Sequence, residues 1–488
     1  MVQWSISSML QEQPDFKTLE QRIWEATADA ARRELRQALE ALDGALMARR
    51  PVGLRHCGWK RRVLESLIGR IEIRRRRYRE TLPTGEVRWR YLLDEALGLP
   101  PEVTVSPGLR DRGIAAAVRG PYRQAAAELR RMRPDGRGPS HGAIHRWVCQ
   151  VGEQRLGQEA MQVAALFEDG VVPPSAGERV EVLFAEADEL RVALQRPKRR
   201  RRIGELLPQR RARRGEVRLL VCHQGWARRH PGSSEYQLVR KHVHGAVGDA
   251  DAFWRGAVLS LHGYCALEQV RCTILNGDGA AWIRQGLEYL PHCEFHLDRW
   301  HLWQAVKAGA SGQPAVQRQV YATLQRGGAW TELEAVLQGA VRRASPSQRD
   351  ALRGLREYLW ANRDGLSDYR QRSLPVARRA EWRGLGAAEA NVDKPWAERF
   401  TKRGMSWGRG LAPLVRLVSL QQQGTLQAWL DVCRGRPFSP TLREAARTGS
   451  RVVTHEEPTA WLQVRLPALA GGQSQLRRTL RALRQPRA

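Results

Sequence analysis

The stretch RCTILNGDGAAWIRQGLEYL occupies residues 271–290. Val270 to Leu275 is mostly apolar or β-branched, as in a buried strand. The pattern breaks at Gly277 and restarts with helical spacing at Ala280. One carboxylate, Asp278, stands in the break between Gly277 and Gly279. Glycines there let the chain turn sharply and admit a phosphate close to the backbone. An acid so placed at the mouth of a strand is a candidate for chemistry.

Upstream, RVEVLFAEADELRVAL (179–194), EVRLLVCHQGWAR (216–228) and EYQLVRKHVHGAV (235–247) read as three strands. Between the first two lies a strongly basic loop, QRPKRRRRIGELLPQRRARRG (195–215). A helix follows at 249–265, then the strand of the opening stretch, a second helix at 280–290, and a fifth strand running into a helix at 292–306. Three antiparallel strands and then alternating helices and strands make a mixed sheet, in the order of the ribonuclease H-like fold. This α/β core is expected over 178–307. A long all-helical insertion follows over 308–385, then a catalytic helix completing the core over 386–415 and a basic helical tail over 416–488.

Ahead of the linker at 170–180, helical spacing of Leu19, Ile23, Ala26, Ala30 and Leu35 predicts a helix over 15–50, within an N-terminal helical region 1–60. Residues 61–170 read as a DNA-binding region. A β-hairpin over 61–92 carries Arg74 to Arg77, charge on both strand faces that suits a phosphate backbone, and Arg75 and Arg76 are its predicted DNA contacts. PYRQAAAELRRM and SHGAIHRWVCQVGE then resemble a helix-turn-helix, with Ser140 as N-cap.

The whole chain has 488 residues, 81 Lys and Arg against 51 Asp and Glu, and a net charge of +30. Most of the basic residues are Arg, whose planar fork suits phosphate, so a nucleic-acid partner is expected. No apolar run is long enough to span a membrane, and MVQWSISSML lacks the marks of a secretion signal, so a cytoplasmic location is expected. Seven cysteines without a CxxC pair exclude a zinc ribbon or a disulfide framework. Cys265, Cys272, His292 and Cys293 have no standard zinc spacing and read as ordinary buried or loop residues.

In the expected sheet the first and fourth strands are neighbours, which brings Asp188 and Asp278 to one end. Glu389, in LGAAEANVDKPWAERFTKRGMSW (385–407), supplies a third acid. Three clustered carboxylates repel one another unless a cation lies among them, and hard oxygen donors suit Mg²⁺ (or Mn²⁺). Two such ions would bracket an in-line phosphoryl transfer. Arg399, Lys402 and Arg403 follow at helical spacing as DNA-backbone contacts. Trp407, in a Gly-rich basic turn, is a candidate for stacking on an unpaired base.

YLLDEALGLPP, SPGLRD, LNGDGAAWI, LDRWHL and EANVDKPWAERFTKRGMSW resemble the ISLre-type insertion-sequence transposases, relatives of the mutator-like DDE transposases. The resemblance covers roughly residues 15–415. It implies a DDE transposase that binds insertion-sequence ends and target DNA, cuts and joins strands with divalent metal, and acts as a homodimer or higher assembly. It implies Asp188, Asp278 and Glu389 as the metal-binding triad. Relatives carry a Cys- or Asp-x-x-His pair between the second and third acids. Asp298 and His301 fit it here, with His301 assisting catalysis, and Cys293 and His296 compete at the same spacing. The family tends to have Gly after the first acid where this chain has Glu189, and Glu186, two residues before Asp188, is the alternative ligand. The competing readings are a ribonuclease H-like nuclease that does not join strands and a catalytically dead, transposase-derived DNA-binding protein.

Overall fold

The structure is a computed structural model that describes residues 15–173, 177–195, 214–327, 329–388 and 392–433, without the side chains of 392–394 and Arg403. The basic loop, save its ends, and the tail beyond Cys433 lie outside these residues. The described residues form two compact units, one of residues up to 153 with 424–433 and one from 154 to 423.

The first unit opens with helix α1 (Phe16–Ala48), capped by Asp15, whose side chain accepts the Thr18 amide at 2.7 Å. Strands β1 (Arg55–Ser66), β2 (Gly69–Thr81) and β3 (Val87–Arg90) form an antiparallel sheet in that order. The sheet has three strands rather than the two of the expected hairpin, because Arg55 to Arg62 lacks apolar alternation and only pairing with β2 makes this stretch a strand. Ile71 and Ile73 pack with Leu39 and Leu46 of α1.

The four arginines of the run Arg74 to Arg77 in β2 divide. Arg75 is buried, its Nε 3.0 Å from Asp94 of helix α2 (Leu92–Ala96). Arg62 binds the other Asp94 oxygen at 2.5 Å and donates to the carbonyls of Leu99, Pro100 and Val103. Arg76 pairs at 2.7 Å with Asp43, a fully buried residue of α1. The expectation that Arg75 and Arg76 contact DNA is therefore corrected: both are spent on internal carboxylates, because a buried acid needs a paired cation.

Helices α3 (Pro107–Arg119), α4 (Tyr122–Met132) and α5 (His141–Phe167) follow. Ser140 caps α5 as expected, accepting the Ala143 amide at 3.1 Å. The helix then continues well past Glu153 instead of forming a short reading helix, and the division between the units falls inside it.

The second unit holds the expected mixed sheet, in the order β10-β9-β4-β5-β8. Its strands are β4 (Val182–Ala193), β5 (Arg214–His223), β8 (His242–Ala246), β9 (Cys272–Gly277) and β10 (Cys293–Leu297). β4 runs antiparallel to β5 and parallel to β9, and β10 runs parallel to β9. The third predicted strand splits: Tyr236–Leu238 (β7) pairs with Trp226–Arg228 (β6) in a small ribbon, and only β8 joins the sheet.

Period-2 alternation sends Leu183, Ala185 and Ala187 into a core with Phe253 and Trp254 of helix α6 (Ala250–His262). Phe184, Glu186 and Asp188 take the opposite face. The helix expected at 280–290 is only α7 (Ala281–Arg284) before it tightens to a 3₁₀ turn. There Gly286 lies against Trp254, with no room for a Cβ.

Helix α8 (Arg299–Gly309) follows β10, and α9 (Pro314–Gln325), α10 (Trp330–Arg343) and α11 (Pro346–Ala361) lie within the stretch 308–385 expected as a helical insertion. Beyond Ala361, however, the insertion is not helical: the chain to Leu385 has only short 3₁₀ turns at Arg363–Gly365 and Tyr369–Gln371. Tyr369, Val376, Trp382 and Leu385 instead pack on Phe184 and Ile274, so this stretch covers the second face of the sheet. Val392–Ala397 is a π-helical turn containing Pro395, and Glu398–Phe400 (α12) continues it. Helix α13 (Leu411–Gln422) packs on β8, where Ser419 Oγ accepts the Gly245 amide at 3.0 Å.

Candidate active site

β4 and β9 pair with a constant offset of 90 residues, from Val182 beside Cys272 to Glu186 beside Asn276. Asp188 lies two residues past the last β4 residue of that pairing, and Asp278 directly follows the end of β9 at Gly277. Both carboxylates are half-buried. Asp188 Oδ1 accepts the Glu189 amide at 2.7 Å, and Asp278 Oδ1 accepts the Ala280 amide at 2.8 Å in an Asx turn. The Asp278 carbonyl takes the Tyr358 hydroxyl of α11 at 2.9 Å.

The two glycines have a different role from the one first read into them. A Cβ on Gly277 would lie 2.7 Å from Ile283 Cγ2 and 3.2 Å from the Ala187 carbonyl. Gly279 has φ +89°, and a Cβ there would strike the side chain of Asn362. At both glycines the Cβ position is already taken by neighbouring protein atoms.

Asp298 caps α8, with Oδ1 accepting the amides of Trp300 and His301, both at 3.0 Å. The same oxygen lies 3.1 Å from Nδ1 of His301. Burial works against the Asp298 anion, but hydrogen bonds from His301 and Asn276 outweigh it and hold its pKa at about 2. His301 is raised above the usual histidine value by its hydrogen bond to Asp298, against partial burial, with further support from the charges of Asp188 and Asp278.

Glu186 is fully buried. Its Oε2 accepts the amides of Gly386 at 2.8 Å and Ala388 at 3.3 Å, together with Asn276 Nδ2 at 3.3 Å. His223 Nε2 lies 3.3 Å from Oε1. Asn276 also donates to Asp298 Oδ2 at 2.9 Å, which links Glu186 to the Asp298–His301 pair. Glu186 is thus committed to internal donors, whereas Asp188 and Glu189 of this strand are half-buried. Sequence reasoning missed Asn276; its signal was a polar residue two before Asp278, on the same strand face.

Cys293 and His296 lie three apart on β10, so alternation sends their side chains to opposite faces. His296 is buried and held down to about 3 by burial, its Nδ1 2.9 Å from Asn276 Oδ1. Cys265 and Cys272 are buried thiols, each pushed by burial up to about 12.

Glu389 lies outside the described residues, as does the side chain of Arg403. Arg399 is buried, its guanidinium 5.1 Å from the Trp407 ring centroid and its Nη1 3.8 Å from Met405 Sδ. Trp407 is buried too, and its Nε1 donates to the Phe400 carbonyl at 2.8 Å. The expected DNA contact by Arg399 and base stacking by Trp407 are therefore corrected. The turn docks on β4, with Trp407 N donating to Ala193 O at 2.8 Å, and this buries both side chains. Lys402 is exposed and pairs with Glu398 at 3.2 Å. Among the described residues no group of three or more His, Cys, Asp and Glu is placed to hold a metal ion. Carboxylates such as those of Asp188 and Asp278 are the hard oxygen donors that Mg²⁺ takes.

Among the described residues no helix is long and apolar enough to cross a membrane. A profile of the uncharacterised protein family UPF0236 matches residues 9–432. UPF0236 proteins of Caldanaerobacter subterraneus subsp. tengcongensis are 21% identical over 364 residues. The match covers 74% of this chain and 68%, 64% and 68% of three such relatives. The name of the first joins four loci of that genome, and the name of the third joins eleven. The solved Drosophila P element transposase strand transfer complex aligns with 75% of this chain and 93% of that chain, at 11% identity and a TM-score of 0.20.

Proposed function

The chain belongs to the uncharacterised protein family UPF0236, and from its sheet we propose that it is a DDE-type DNA transposase of the ISLre kind with a ribonuclease H-like core. The observation that carries this reading is the parallel β4–β9 pairing, beyond whose last pair lie Asp188 and Asp278, which this reading takes as neighbours. Relatives whose names join several loci of one genome fit a gene that moves. The net charge of +30 fits a polyanionic substrate.

Asp188 and Asp278, with Glu389 as third acid, would hold Mg²⁺ (or Mn²⁺), which supplies Lewis acidity for phosphoryl transfer. The chain's own contribution is positional. The Asx turn and the Tyr358 hydroxyl hold the Asp278 backbone, and the Glu186 carboxylate tethers the segment leading to Glu389. His301, with Nδ1 held by Asp298, keeps Nε2 for a proton on a phosphate or leaving oxygen beside the acids. The substrates are insertion-sequence ends and target DNA. Two ends must be paired, which calls for a homodimer or higher assembly in the cytoplasm.

A strand-transfer assay tests this. Purified protein meets a labelled element end with Mg²⁺ or Mn²⁺, beside the Asp278→Asn variant. Nicked and joined products from the wild type, both lost in the variant, are expected. Nicking without joining would replace the transposase with a nuclease. Binding without cleavage under either metal would leave a DNA-binding protein.

A further inference from the structure

The arginine run of β2 has a second half that the active site does not use. Arg74 and Arg76 lie over the ring of Trp59, 5.7 and 4.2 Å from its centroid, and Arg77 lies 4.2 Å over Trp89. Trp59 and Trp89 are 46% and 48% exposed. Along β2 the buried positions are Ile71, Ile73 and Arg75, and then Tyr78. The buried set changes phase where the register of β1 shifts between His56 and Trp59, a bulge that adds twist. The solvent side therefore carries Trp59 with Arg74 before the shift, and Trp89 with Arg77 and Arg79 after it.

The three strands hold twelve basic and three acidic residues. Arg61 pairs with Glu72, and Arg90 with Glu80. Among the described residues Lys60, Arg74, Arg77 and Arg79 have no carboxylate partner within ion-pair range.

A guanidinium held against an indole loses little further freedom when it binds and keeps its free N–H edges in plane, and Arg77 spends one N–H on the Cys57 carbonyl, 3.4 Å from Nη2. That is the geometry in which arginine forks a phosphate. The indole faces are already covered by these cations, so the surface offers donors rather than an open base-stacking platform. We infer that the solvent side of the β1–β3 sheet docks the sugar-phosphate backbone of duplex DNA, with Arg74 and Arg77 as phosphate contacts and Trp59 and Trp89 as the residues that position them. This rests on the reading of the chain as a DNA enzyme and assigns the surface that holds the duplex.

The test is binding of the full chain to a labelled mixed-sequence duplex across a KCl series. It compares wild type, the Arg74→Gln/Arg77→Gln double variant and the Trp59→Ala/Trp89→Ala double variant, all checked for unchanged melting. The arginine variant should bind at least about tenfold more weakly at low salt, with a log–log salt slope shallower by about 2. The tryptophan variant should keep the wild-type slope and lose affinity several-fold. Wild-type affinity and slope in the arginine variant would overturn the surface. Unchanged affinity in the tryptophan variant would overturn the positioning role. Tighter binding of a single-stranded oligonucleotide, lost in the tryptophan variant, would replace backbone docking with base stacking. Failure of the transposase reading is distinguishable, because it would remove nicking by the wild type while leaving this salt response intact.

Discussion

The amide of Gly386 donates to Oε2 of Glu186 at 2.8 Å across 200 residues of chain. Three N–H groups converge on that one oxygen, and a carboxylate serves them better than an amide. Glu186→Gln is expected to lower the nicking rate about 10- to 100-fold, as loss of a supporting shell does at metal sites. Duplex binding should be unchanged. Single-turnover nicking beside a binding isotherm checks this, and a wild-type rate would refute the tether.

The Asp298–His301 pair sets a pH dependence. His301 is raised in the folded state, so its contribution is fully present below the unfolded histidine value of about 6.5 and is lost as pH rises through the higher folded value. Asp298, lowered to about 2, contributes above the unfolded aspartate value of about 3.9 and loses that contribution as pH falls toward its folded value. In metal-free buffer His301→Gln should flatten the fall in stability above neutral pH. Urea midpoints taken across the range would reveal it; a variant curve parallel to the wild type would count against the pair.

Gly279 has φ +89° and no room for a Cβ beside Asn362. Gly279→Ala should destabilise the protein by about 2 kcal/mol, from left-handed strain and the displaced Asn362 together. Chemical denaturation measures it, and a change below about 0.5 kcal/mol, ordinary for surface substitutions, would mean the turn relaxes freely.

Asp94 is buried between Arg62 and Arg75. Asp94→Ala strands two buried cations and should cost about 3–5 kcal/mol. Arg74→Gln, on the solvent side of the same strand, should stay within about 0.5 kcal/mol. Similar losses in both variants would contradict the division of the arginine run.

Much of this architecture was written in local pattern. The alternation of β4, the apolar run of β9, the helical spacing of α1 and the caps at Asp15 and Ser140 depend on neighbours a few residues away. They carried the mixed sheet. The net charge, likewise, is a property of composition alone.

What local pattern could not decide was which polar groups go inside, because that depends on partners far along the chain. Arg75 and Arg74 are adjacent and chemically identical, yet Asp94 draws one into the interior while Trp59 holds the other at the surface. Glu186 and Asp188 share a strand face, yet amides arriving from residues 386 and 388 consume the first. Arg399 and Trp407 read as DNA contacts until the turn that carries them docks on β4. A polar side chain is buried only when a partner offsets the cost of leaving water, and tertiary structure alone supplies that partner.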